Sequence, residues 1–240
     1  MTSTFQRARS EEQRSERRRA ILDTAAAMLA EMPVAQLSLN ELSRRVGLAK
    51  SNVLRYFESR EAVLLDLLNS AAREWLAELD GVLAAAVDAG ASVDARADQL
   101  AAALAESLAV HPVLCELASA QAAVLEHNVS AEVAAQYKRT AMAHVGTLAA
   151  VVRSHIHELN EVDAGRFAAA SMIVTGAVWT SAQPSDAMLE AYRADPALAA
   201  FQLDFTDTLR QLLEVFLAGL LARPSNHLAD GFGGSTPCSR

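Results

Sequence analysis

"LSLNELSRRVGLAKSNVLRYFESREAVLLDLL", residues 37–68, decides how this chain is read. Ser38 followed by Glu41 is a capping box, in which the hydroxyl and the carboxylate satisfy orphan amides of a new helix. Leu42 and Val46 give that helix an apolar side, and Gly47 ends it within two turns. A third helix is expected from about Lys50 to about Phe57. Ser59 then caps a fourth, with Glu61 in its first turn, where the helix dipole favours an acid. Two short helices joined by a Gly-containing turn make a helix-turn-helix, whose second helix enters the DNA major groove. Leu42, Val46, Leu48, Val53 and Phe57 can share one small core beneath Ile21 and Leu29. Lys50, Ser51, Asn52, Arg55 and Tyr56 are left outward. Asn pairs with adenine edges, and Arg or Lys with guanine edges or phosphate.

The charge distribution agrees with that reading. The 240 residues carry a formal net charge of −8. Residues 1–60 hold 11 Lys+Arg against 7 Asp+Glu, while the remainder holds 10 against 22, so a head of +4 sits on a body of −12. Such an asymmetry suggests that the head meets an anion and the body does something else. Hydrophobic residues make up 52% but aromatics only 5%, so the core is expected to be Ala, Leu and Val. These are mostly helix formers, and strand-like alternation is scarce, which predicts an all-α fold.

Cys115 and Cys238 form no CxxC pair, which points to a reducing compartment and no disulfide framework. The N-terminus lacks the apolar core of a signal peptide. Residues 167–182 are too short and too rich in Ala, Ser and Thr to span a bilayer, so a buried core helix is expected there. A soluble, cytoplasmic protein follows. The periodicity divides it into an arm over 1–14, a helix-turn-helix domain over 15–60, and a helical body over 61–223. Helices are expected at about 59–88, 93–110, 112–126, 130–159, 161–183 and 201–222. The tail over 224–240 has turn-forming composition and is expected to be disordered.

Residues 15–68 resemble the N-terminal DNA-binding domain of the tetracycline-repressor (TetR) family. The likeness rests on the capped second helix Ser38 to Glu41, the turn Gly47 to Lys50, the aromatic pair Tyr56-Phe57, and Ser59-Arg60-Glu61 opening the fourth helix. It implies that Tyr56 and Arg60 grip phosphates of double-stranded DNA and that Ser38 approaches the backbone. A helix N-terminus is a natural phosphate site in any case. Arg44 and Arg45 serve either DNA or solvent. Two departures stand out: Ser51-Asn52 replaces the usual Gly-Thr, and Leu54 stands where a Tyr often reaches the DNA. Leu54 then contacts a thymine methyl or simply packs.

The resemblance also implies a body that dimerises and binds a small effector. Phe205, Leu209, Leu212, Phe216 and Leu220 repeat at three- and four-residue spacing. Phe167, Ser171, Val174 and Val178 mark a face of the preceding helix. Pairing both helices with their symmetry mates would give a homodimer built on a four-helix interface. Trp75, Tyr137, Met142, Met172 and Trp179 are large or adaptable residues on Ala-rich helices and are candidates for the lining of an apolar or aromatic effector's pocket. His111, Cys115 and Glu116 lie close together at a helix start.

No metal, cofactor or enzymatic chemistry is expected. His155 and His157 point about 200° apart on a helix and cannot share an ion. GxSxG, HExxH and a GxGxxG after a strand are all missing. The expected function is that of a ligand-released, homodimeric repressor on a palindromic operator. A helical interaction protein, or a regulator without an effector, is the alternative.

Overall fold

Side-chain caps set the boundaries of the helices. The computed structural model describes residues 2–223, and the tail set apart above lies outside them. Among the described residues there are helices and no strands. Ser38, Ser59, Ser92, Ser130, Asn160, Ser185, Asp195 and Asp204 each accept a backbone N–H at a helix start. Each cap satisfies an amide that would otherwise lack a partner.

The head comprises α1 (Thr2–Leu29), a 3-10 turn at Val34–Gln36, α2 (Leu39–Val46) and α3 (Lys50–Val53). From Thr2 onward the segment expected to be a separate arm is the first half of α1. Its Arg, Glu and Gln are good helix formers, and no Gly or Pro interrupts them. Gly47 adopts φ +74°, a left-handed conformation that Gly reaches without a Cβ penalty, and it terminates α2. The recognition helix is shorter than expected. Beyond Val53 it continues as turns, with Tyr56 and Phe57 both donating to the Val53 carbonyl.

The body begins with α4 (Arg60–Ala86), followed by α5 (Val93–Ala109) and α6 (Pro112–Ala120), the latter two at 90° to each other. A π-helical turn, Gln121–Leu125, leads to α7 (Ala131–His155) and α8 (Glu161–Ser181). No described helix is long and apolar enough to cross a membrane. Where a loop was expected, α9 (Asp186–Ala194) and α10 (Pro196–Ala199) fold, but neither buries a residue. The last helix, α11 (Phe205–Leu221), lays Leu209, Leu213 and Leu217 inward against α5 and α8.

One hydrophobic cluster runs through head and body. Ile21, Met28, Leu42, Val53 and Phe57 fill the head as expected, and α4 carries the core onward through Leu64, Leu68, Trp75, Leu79 and Leu83. Because the head shares this core, it is held against the body rather than tethered to it.

Candidate nucleic-acid interface and its link to the body

The helix-turn-helix presents Lys50, Ser51, Asn52, Leu54 and Arg55 to solvent, while Tyr56 is half-buried. Ser38 caps α2 by accepting the amide of Glu41 at 3.2 Å, so the N-terminus of α2 is preorganised at the surface. Leu54 is 41% exposed, which leaves its methyls available on the outer face. Lys50 and Arg55 have no carboxylate partner among the described residues.

Other cations of the head are held internally. Arg44 lies 2.5 Å from Glu41, and Arg45 bridges Glu41 at 3.0 Å and Glu31 at 2.6 Å. The hydrogen bonds from Arg44, and then from Arg45, hold the Glu41 carboxyl down at about 2. Arg60 also has partners within the chain. Its guanidinium donates to the carbonyls of Leu37 and Val34 and pairs with Glu61 at 3.1 Å. The open carbonyls beside the 3-10 turn hold it, so Arg60 ties the head's turn to the start of α4.

By sequence Arg18 belongs with Arg7, Arg9, Arg14, Arg17 and Arg19, which form either an arm adding non-specific DNA affinity or an ordinary charged N-terminus, and its place in the fold is a different one. Arg18 donates to the Tyr56 carbonyl at 2.7 Å, pairs with Asp66 at 2.7 Å, and lies 4.3 Å from the centre of the Phe57 ring. One side chain thus pins α1, the end of α3 and α4 together. Its spacing from Ile21 and Ala25 places it on the buried face of α1, and that was the available signal.

Glu116 was noted only for its neighbours, yet it joins head to body. One carboxylate oxygen accepts the Val34 amide at 2.8 Å, and the other accepts the Trp179 indole N–H at 3.0 Å. Trp179 meets Phe205 edge-on at 5.1 Å. A second strut, Glu58, takes the Ser130 amide at 2.5 Å. His111 instead bonds the Ser107 carbonyl, and Cys115 is buried, its thiol pushed up to about 12 by that burial. These three neighbours therefore form no common site, and no described cluster of His, Cys, Asp or Glu has a metal-holding arrangement.

The body's expected roles are partly rearranged. Phe167, Ser171, Val178 and Leu209 are buried within their own protomer, although Phe167 also lines an open groove with Phe216 and Leu220. The most apolar face of α8 packs against α6 and α7, the larger interior, and so turns away from the outside. Val174, Phe205, Leu212, Phe216 and Leu220 are half-buried at the edge. The bare face instead carries Val162, Ile173 and Val215, at 62%, 73% and 66% exposure. The five expected effector residues share no pocket among those described. Trp75 is core, with its indole on Ser107 at 3.1 Å; Tyr137 is buried beside the head; Met172 and Trp179 are half-buried; Met142 is 73% exposed. Residue type alone could not tell which side of an Ala-rich helix faces in.

A model of the bacterial regulatory proteins of the tetR family matches residues 21–67, and one of the tetracyclin repressor-like C-terminal domain matches residues 69–224. The chain belongs to the tetR family. It is a TetR-family transcription regulator with a DNA-binding helix-turn-helix domain. No curated protein sequence matches this TetR chain. Among solved structures it is similar to a possible TetR family transcriptional regulator from Streptomyces coelicolor A3(2), at 19% identity and TM-score 0.54 over 85% of this chain and 98% of that one. It is also similar to FadR from Bacillus subtilis in complex with stearoyl-CoA, at 14% identity and TM-score 0.52 over 83% and 97%. The fatty acid degradation regulator FadR from Bacillus halodurans gives 16% and 0.51 over 84% and 98%. At these identities the likeness is one of fold.

Proposed function

We propose that the chain is a homodimeric repressor that binds a near-palindromic operator and lets go of it when a small apolar or aromatic effector binds the body. The observation that carries this reading is the outer face of α3. Lys50, Ser51, Asn52 and Arg55 stand exposed behind the left-handed Gly47 turn, and neither cation has a carboxylate partner among the described residues. Donors with nothing inside to bind are suited to base edges and phosphates. Selection of duplexes from a random pool tests it. Lys50→Ala and Asn52→Ala should each weaken the selected site by about 1–3 kcal/mol without lowering the melting temperature. Enrichment of no sequence would overturn the operator reading.

Dimerisation is supported by the bare face of α8 and α11. Val162, Ile173 and Val215 rise from it, and Ala169, Ala170, Ala218 and Gly219 around them are small enough for helices to approach closely. An open groove of about 360 Å³ lies between the two helices. A two-fold dimer would set its recognition helices about 34–36 Å apart, hence a palindrome. Ile173→Asp places a charge where the wild type has solvent-exposed apolar surface, so it should split the dimer in sedimentation and leave the protomer folded.

Release is supported by the Trp179–Glu116–Val34 link, through which a change in the body reaches the head. Coupling of about 1–3 kcal/mol is typical, so an effector should weaken operator binding roughly 5- to 150-fold. The stearoyl-CoA held by the FadR fold neighbour places acyl-chain compounds in the screen beside aromatic ones. The scatter of Trp75, Tyr137 and Met142 favours a second reading, a regulator without an effector, and operator release in the same screen decides between them.

A further inference from the structure

We propose that the groove between α1 and the recognition helix is a second track for the DNA backbone, with Arg14 and Arg17 acting beside Arg55 on phosphates that flank the bases read by α3. This rests on the DNA-binding reading above and adds a surface that the helix-turn-helix does not include. The decisive observation is how the head's cations sort. Arg18, Arg19, Arg44, Arg45 and Arg60 each have a carboxylate within 4 Å. Arg14, Arg17, Lys50 and Arg55 have none among the described residues. Three of these four line a single open groove of about 720 Å³, together with Gln13, Ala20 and Tyr56. Glu16 is the one acid on its wall.

The groove is built, not accidental. Arg18 locks α1 onto the recognition helix through the Tyr56 carbonyl and the Phe57 ring. Arg14 is one turn before Arg18 and Arg17 is its neighbour, so both are fixed alongside Tyr56. Residues 11–17 are all exposed, so this stretch of α1 contributes nothing to the core. From Thr2 to Arg17 the helix extends about 24 Å, longer than the ~12 Å width of the major groove. Lying beside α3, the exposed Arg14 and Arg17 can meet phosphates that flank those within reach of α3. Charge and continuity with the recognition helix both select the DNA backbone as occupant, over an acidic protein.

The test uses the full-length protein, a labelled mixed-sequence duplex, and binding isotherms between ~50 and ~200 mM salt. Each phosphate contact contributes about 0.9 to the slope of log affinity against log salt. The double variant Arg14→Ala/Arg17→Ala should therefore flatten the slope by about 2 per head, whereas Arg44→Ala should leave it unchanged. Glu16→Gln should tighten binding at low salt, which guards against reading a folding defect as a lost contact. An unchanged slope in the double variant, alongside steep wild-type binding, overturns the track and leaves the helix-turn-helix reading intact. A slope that falls as far with Arg44→Ala overturns the sorting by ion pairs. Failure of the wild type to bind the duplex removes both readings.

Discussion

Two carboxylates, Glu41 in the head and Glu116 in the body, each engage both oxygens, and their surroundings make them do opposite things. Glu41 is at the surface and holds two arginines, Arg44 and Arg45. Exposed pairs of this kind add little to stability, because water screens them. Their effect is on the electrostatic footprint: two cations are turned toward an acid instead of outward. Glu116 is partly buried and holds two neutral donors, the Val34 amide and the Trp179 indole. Those groups belong to different parts of the molecule, so its effect is mechanical. Charge pairing decides which cations the head can offer, and a carboxylate between neutral donors decides how the head is held.

The mechanical side of that contrast should break most readily at Gly176. A Cβ there would lie 2.9 Å from the Ala118 carbonyl oxygen and 3.1 Å from the Ser119 Cα, both backbone atoms that cannot rotate away. Gly176→Ala must push α6 from α8 and stretch the Glu116–Trp179 bond between them. A loss of about 3 kcal/mol in chemical denaturation is expected, the upper end of overpacking costs. Unchanged stability would mean that α6 slides freely on α8 and cannot transmit a displacement.

Glu116→Ala comes next. It leaves the Val34 amide and the Trp179 N–H without a protein partner, at about 2 kcal/mol for two partly buried donors. In a Trp75→Phe background Trp179 is the remaining tryptophan, so its emission reads the strut directly. Emission should shift on adding duplex to the Glu116-containing protein and stay constant in Glu116→Ala. Identical responses would place the coupling elsewhere, with Glu58 and Ser130 the next contact to examine.

The head was legible because its signals are local. Two serine caps and a left-handed glycine each act within four residues, so Ser38, Gly47 and Ser59 take the places that their spacing predicts, while the Glu41 carboxylate of the expected capping box turns to Arg44 and Arg45. What escaped were the contacts that cross the chain. Arg60 and Arg18 look alike as surface cations until the fold brings Val34 and Tyr56 beside them. In the body the helices themselves were legible, but not their facing. Phe167 and Ile173 lie on one helix whose apolar and small residues go nearly all the way round, and only its packing against α6 and α7 puts the first inside and the second out. The short α9 and α10 escaped because they are only nine and four residues long and lie beside Pro184 and Pro196, so proline breaks outweigh the brief apolar period of Met188, Leu189 and Tyr192.

Glu41→Gln gives the smallest expected effect and sharpens the electrostatic side. The amide keeps the shape of the side chain, and the Ser38 cap still receives the backbone N–H of residue 41. Arg44 loses its carboxylate, while Arg45 retains Glu31. One more cation per head should then reach phosphate, steepening the salt slope by about 0.9. The pH dependence fixes the cause. In the folded head the carboxyl is held at about 2, below its ordinary 4.5, so it binds fewer protons than it does in the unfolded chain. Whatever the pair contributes to stability is present above 4.5 and is lost as pH falls toward 2. The difference in melting temperature between wild type and Glu41→Gln should thus be constant from neutral pH to about 4.5 and close by about 2. A difference that closes near 4.5 would mean that Glu41 titrates as a free carboxylate, that the two arginines are not held, and that Arg44 already serves the DNA.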